Sequence, residues 1–221
     1  MALKKFKNKK HVFWQAFFLT VFFFFLGIVF GVYLEQLRTD NANIIFYQSE
    51  VSLYDSFALG NLLDNPLVSC EDIIGASVSF ADKIYEEAKE LEKFDSSNKI
   101  TDSLKIIHRK YDLLRTLLWM NVIDIKENCG NVTTVVYLYT YNAENLQIRA
   151  NQLVWSRILQ DLKDKRGNDI ILIPIAVDQN LVSLDFLIKT YGITEFPAVI
   201  LNEKDVFYKH KTVEELEKYL N

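Results

Sequence analysis

Residues 12–34 read VFWQAFFLTVFFFFLGIVFGVYL, with no formal charge and with Gln15 and Thr20 as the only polar side chains. No other stretch limits the possible folds as much. A bilayer core about 30 Å thick is crossed by roughly 20 helical residues at 1.5 Å each. A helix also satisfies its own backbone groups within hydrocarbon. Trp14 and Tyr33 stand near the two ends, where amphipathic rings prefer the headgroup region. A cleaved signal would carry an apolar run of about 7–15 residues closed by small side chains. Here Gly27 and Gly31 lie inside the run and no A-x-A pattern follows it. The reading is a retained anchor, rather than a removed signal or a buried helix of a soluble protein.

Flanking charge sets an expected direction. Lys4, Lys5, Lys7, Lys9 and Lys10 precede the run, with His11 beside them, whereas Glu35, Arg38 and Asp40 follow it. The excess of lysine on one side predicts a cytoplasmic basic tail at residues 1–11, a transmembrane signal anchor at 12–34, and residues 35–221 on the far side of a cell membrane crossed once.

The remaining part is long enough for one or two small domains with real cores. The chain has a formal net charge of −4, and the lysines before the span leave the part after it more acidic still. Nothing in it suggests the basic face a nucleic acid would need. Seven glycines and three prolines argue against linkers and low complexity. Both cysteines, Cys70 and Cys129, fall in the part expected outside, where a disulfide is permitted. Asn131-Val132-Thr133 is a glycosylation sequon.

Residues 35–129 have helical spacing in three stretches. The first carries Ile44, Tyr47, Val51, Tyr54 and Ala58 and ends at Asp64-Asn65-Pro66. The second opens at Ser69 and repeats Ile73, Ser77, Phe80, Ile84, Ala88 and Leu91, before Asp95-Ser96-Ser97-Asn98 breaks it. The third repeats Leu104, Ile107, Tyr111, Leu114 and Leu118. Alternating steps of three and four put each set on one helix face, and three such helices pack most simply as an antiparallel bundle. A coiled-coil dimer through the first is the alternative, with Asn41 and Gln48 interrupting that seam. In a bundle, Cys70 and Cys129 would meet at one end, within reach of a bridge.

After Gly130 the pattern changes. Residues 132–139 are β-branched and aromatic, as in a strand. Asn142 is expected to cap a helix to about Lys165, with Leu146, Ala150, Leu153, Val154, Ile158 and Leu162 inward, stopped by Gly167-Asn168. Residues 170–177 read as a strand covered on both faces. Asn180 is expected to open a helix ending at Gly192, with Leu184, Leu187 and Ile188 apolar. Strands at 198–201 and 206–209 follow, and Thr212 with Glu215 forms a capping box for the last helix.

This order over residues 132–221, and above all Tyr191-Gly192-Ile193-Thr194-Glu195-Phe196-Pro197-Ala198-Val199-Ile200-Leu201, resembles the thioredoxin fold. Ala176-Val177-Asp178 is similar to that family's second strand end. The resemblance implies an α/β thioredoxin-like C-terminal domain at 130–221, preceded by the helical bundle and one transmembrane helix, with a cis bond before Pro197. It also implies C-x-x-C between the first strand and its helix, whereas here residues 140–146 read TYNAENL. Thiol–disulfide exchange needs an attacking thiolate, so the family's redox chemistry is not expected. The three histidines have no ligand spacing, and no phosphate, dinucleotide or hydrolase motif occurs. The expectation is no catalytic residue, metal or cofactor. It is instead a module that binds a protein or peptide through Tyr141, Asn142, Glu195, Phe196 and Pro197. Two alternatives stay open: a spacer or assembly subunit of a membrane complex, and a redox enzyme using Cys70 or Cys129 in another way.

Overall fold

The computed structural model describes residues 9–62, 67–95, 102–130 and 132–220. The sequon at Asn131, Lys4, Lys5 and Lys7, and the breaks at 64–66 and 96–98 lie outside the described residues. The chain divides into two compact units, Met1–Ile45 and Phe46–Asn221.

Helix α1 is Lys9–Leu62. Its segment His11–Gln36, 26 residues, is long and apolar enough to cross a membrane. Thr20 Oγ1 donates to the Ala16 carbonyl at 2.9 Å, so this hydroxyl is satisfied within the helix and needs no outside partner.

The second unit adds α2 (Cys70–Asp95) and α3 (Asp102–Cys129) to the end of α1. Ser69 starts α2 by accepting the Asp72 N–H at 3.2 Å and donating to its carboxylate at 2.6 Å. A disulfide joins Cys70 to Cys129, with Cα atoms 5.5 Å apart, so the start of α2 is tied to the end of α3. Helices α2 and α3 lie against each other, and Ile73, Phe80, Ile84, Ala88 and Leu91 of the one and Leu104, Ile107, Tyr111, Leu114 and Leu118 of the other are all buried. Glu87 links three helices, accepting from Ser52 on α1 at 3.4 Å and from the Tyr111 hydroxyl on α3 at 3.2 Å.

The face of α1 turned to this bundle is polar. Ser49, Ser52 and Ser56 are buried, while Ile44, Tyr47, Val51 and Tyr54 are exposed. That is the reverse of the direction expected for the apolar stripe. The inner contacts are polar to match: Glu50 pairs with Lys110, and Asn121 Nδ2 donates to the Ser56 carbonyl at 3.1 Å. Gly60 belongs to the same fit, since a Cβ there would lie 3.0 Å from Asn121 Oδ1. Small side chains let α1 approach closely, and the flat polar contact takes the place an apolar ridge would have filled.

A mixed four-stranded sheet follows, in the order β2-β1-β3-β4, from β1 (Thr134–Tyr139), β2 (Ile171–Ala176), β3 (Ala198–Leu201) and β4 (Asp205–Phe207). β1 runs parallel to β2 and antiparallel to β3, and β4 is antiparallel to β3. Helices α4 (Leu146–Arg166), α5 (Val182–Thr190) and α6 (Val213–Glu217) connect or close it. One face packs Val135, Tyr137, Val199 and Leu201 on Trp155, Leu159, Leu162 and Leu216. Residues of the other parity, Val136, Leu138, Ile173, Ile175 and Ile200, are buried too, so both faces are covered.

Three local expectations need correction. The cap of α4 is Asn145, whose Oδ1 accepts from Gln147 and Ile148 at 2.8 and 3.4 Å, not Asn142. Asn180 has φ 54° in a turn, and α5 begins at Val182 without a side-chain cap. On α4, Leu146, Leu153 and Val154 are exposed, and the buried set is Trp155, Leu159 and Leu162. The capping box of Thr212 and Glu215 is present on α6, and Gly167 ends α4 with φ 54°, a conformation glycine reaches without strain.

Candidate binding site at the end of the sheet

Residues 140–145 leave the C-terminal end of β1, and their backbone is fixed by side chains from elsewhere. The Asp178 carboxylate, just past β2, accepts the N–H groups of Tyr141 and Asn142, both at 2.8 Å. Gln152 Nε2 donates to the Thr140 carbonyl at 3.1 Å. These bonds hold the chain in a turn for three more residues, which is why α4 starts at Leu146 and takes Asn145 as its cap.

Helix α3 passes along the same end of the sheet. The Tyr141 hydroxyl lies 3.1 Å from His108 Nε2, with the rings 4.7 Å apart. One residue on, Arg109 donates to the Asn180 carbonyl at 2.9 Å. Asp112 accepts the Ala176 N–H at 3.0 Å and pairs with Arg115 at 3.3 Å. Burial pushes the Asp112 carboxyl up from its usual range, against the opposing pull of Arg115, the Ala176 N–H and His108. The Tyr111 hydroxyl is likewise raised, by burial and by Glu87.

Asp112 also closes the outer edge of the sheet. The Ile171 N–H points inward, to the Thr133 carbonyl at 2.9 Å, and the Ala176 N–H points outward to Asp112. By the two-residue period, Leu172, Pro174 and Ala176 direct their nitrogens outward. Pro174 has no N–H to leave unpaired there, as befits proline on an edge strand.

The second predicted segment enters β3. Leu138 pairs with Ala198 in the antiparallel register, so the residues just before β3 and those just after β1 lie at the same end of the sheet. The Phe196–Pro197 bond is cis; Pro197 is buried, Phe196 half-buried and Glu195 exposed. Nearby, Trp119 of α3 stacks on Tyr191 with centroids 5.3 Å apart. The register thus brings together the ends of both segments named from sequence.

A cleft of 390 Å³ opens beside this end, walled by Tyr85, Tyr137, Tyr139 and Tyr141, with Arg115, Arg149, Leu153 and Pro174 also lining it. Leu153 at its rim is 72% exposed, and Leu146, two turns earlier on the same face of α4, is 76% exposed. Sequence reading missed both as surface residues, and it missed His108, Asp112 and Asp178 as supports. Only Asp178 had a signal, in the Ala176-Val177-Asp178 strand end.

Both cysteines of the chain are in the disulfide. Cys129 ends α3 just before β1, whereas residues 140–146 follow the other end of that strand, about 20 Å along it. Among the described residues, no group of three or more His, Cys, Asp or Glu could hold a metal ion.

Neither a family model nor a curated protein matches the chain. A solved structure described as "Structure of a malarial protein" is similar at 17% identity, over 41% of this chain and 100% of that one, with a TM-score of 0.33. A likeness of that size carries no argument about the fold.

Proposed function

We propose that this chain is a membrane-anchored module, thioredoxin-like in its C-terminal part and without redox chemistry, that holds a protein or peptide on the outer side of the membrane. The observation that carries this reading is the pair Leu146 and Leu153, set on a capped helix and exposed beside the tyrosine-walled cleft. Two large apolar side chains one helical repeat apart, next to aromatic rings, form the kind of patch that marks an interaction surface. Tyrosine supplies contact area at low entropic cost, and Arg149 lies between the two leucines on the same helix.

The thioredoxin-like part of the reading draws support from a parallel pair, β2 and β1, flanked by an antiparallel pair, β3 and β4, with helices between. The non-redox part rests on the sequence TYNAENL at residues 140–146, where exchange chemistry would need a thiolate. The outward placement rests on the lysines before the span. Binding would use the exposed face of α4 with Tyr141, Asn142, Glu195, Phe196 and Pro197 as its second wall.

The test is photocrosslinking in intact membranes from Tyr141, Leu146, Leu153 and Phe196 in turn. The expected result is one common adduct from all four positions, and its loss from positions 141 and 196 when Leu146→Asp and Leu153→Asp are introduced together. Adducts of different identity from α4 and from Phe196, or none that the double substitution removes, would sink the site.

A further inference from the structure

The cleft beside the end of the sheet is basic in a chain whose net charge is −4. Arg115 of α3 and Arg149 of α4 both line it, and no aspartate or glutamate does. The carboxylates bonded to its walls are already engaged. Asp178 accepts the N–H groups of Tyr141 and Asn142, and Asp112 accepts that of Ala176. Asp112 is also the partner of Arg115, but the contact is single and 3.3 Å long. It falls on Oδ1, the same oxygen that takes the Ala176 N–H. A guanidinium carries five N–H donors in a planar fork, and among the described residues Arg115 gives only this one bond. Its side chain is 12% exposed, yet none of its nitrogens is buried without a partner, so the unspent donors stay accessible. Arg149 is exposed and makes no ion pair among the described residues. With Gln152, Leu153 and Ser156 it follows steps of three, one and three along α4, so a single helix face supplies that wall.

We propose that this cleft receives a carboxylate of the bound peptide, with Arg115 and Arg149 as its donors. The inference rests on the reading that the α4 face holds a peptide, and it names what that peptide must carry. Arginine is suited to the task, because its fork meets both oxygens of a carboxylate at once. The tyrosine walls matter as much as the charges. An ion pair open to solvent contributes little, whereas one set among aromatic rings is less screened by salt and water. Leu153 on the same wall is exposed, so a large apolar residue next to the acidic one has a surface to rest on. Two sources supply this chemistry, an aspartate or glutamate side chain and the free C-terminus of a peptide. Both present the same two oxygens to the same donors.

The experiment offers the full chain, in detergent micelles, a random dodecapeptide library in two forms, one with a free C-terminus and one amidated. Each retained peptide is then compared with copies that lack its carboxylates, either amidated at the end or with asparagine and glutamine in place of aspartate and glutamate. The expected result is that one of the two copies binds about tenfold more weakly or worse. Which copy does so identifies the source of the carboxylate. Arg149→Gln, at an exposed position, should shrink that ratio at least about threefold. Arg115→Lys keeps a charge beside the buried Asp112 but loses the fork, and should shrink it by a similar factor. The ratio, unlike total binding, does not move with a merely structural loss. Retained peptides whose copies bind equally well would overturn the proposal, as would a ratio unchanged in either variant, and both results leave peptide binding itself standing. If neither library yields a retained peptide, the binding reading falls and this inference falls with it.

Discussion

Helices α1 and α3 run in the same direction through the bundle, since Glu50 meets Lys110 and Ser56 meets Asn121, yet they bury opposite kinds of residue. α3 turns Leu104, Ile107, Tyr111, Leu114 and Leu118 inward; α1 turns Ser49, Ser52 and Ser56 inward and leaves Val51 and Tyr54 in the open. Both have the same rhythm of apolar residues. The rhythm establishes that a helix has an apolar face, but the direction of that face depends on what is waiting to cover it. α3 has two claimants for its surface, α2 and the sheet, and needs apolar residues on much of its circumference. The last turns of α1 need only a close, flat fit, which serine and Gly60 provide.

The largest effect expected from breaking this contrast is at the tie that α3 has and α1 lacks. Cys129→Ser opens a bridge with a sequence separation of 59, and in the chain-entropy model that costs about 4 kcal/mol, read as a lower urea midpoint. Next, Leu118→Ala in α3 should cost about 2–5 kcal/mol by leaving a cavity. Val51→Ala in α1 should stay within about 0.5 kcal/mol. Similar losses at the two positions, measured by chemical denaturation of the detergent-solubilised chain, would mean that the outer face of α1 is packed after all.

A smaller effect with a definite sign concerns Asp112. Its folded pKa is raised above the ordinary 3.8, so between those two values the native state holds a proton that the unfolded chain has lost. Stability from this group is full at low pH and falls as pH rises through that window. Asp112→Asn removes the titration while keeping an oxygen for the Ala176 N–H. The stability of the original chain relative to this variant should therefore decline from about pH 4 upward; a rise would refute the assignment. The smallest change is expected for Leu146→Asp and Leu153→Asp, which should leave the denaturation midpoint within about 0.5 kcal/mol even as they abolish partner capture.

Several features of the fold could be read from residues alone because their causes are local. Thr212 and Glu215 cap α6 through their own side chains, Gly167 can stop a helix by itself, and the uncharged run at 12–34 needs no neighbour to be apolar. The meeting of Cys70 with Cys129 follows from helix lengths and an antiparallel turn. What was hidden depends on distant partners. Asn142 and Asn145 are equally good caps until Asp178 claims the amides of Tyr141 and Asn142. Leu146 and Leu153 share a helix face that could equally be core, and the buried residues of α4 begin only at Trp155. In the site, Pro197 and Tyr141 were visible through resemblance, whereas His108, Arg109 and Asp112 lie on a bundle helix with no motif to mark them.

The bond from Asp112 to Ala176, together with the proline at 174, has a consequence for how the sheet could grow. One margin is narrowed: of its three outward nitrogens, that of Ala176 is spent on Asp112 and that of Pro174 carries no hydrogen, and α3 lies against the strand. The opposite margin ends in β4, only three residues long. An incoming strand therefore finds one selvedge that is short and one that is hemmed over two of its three stitches, so a continuous ribbon of copies has little to run along on either side.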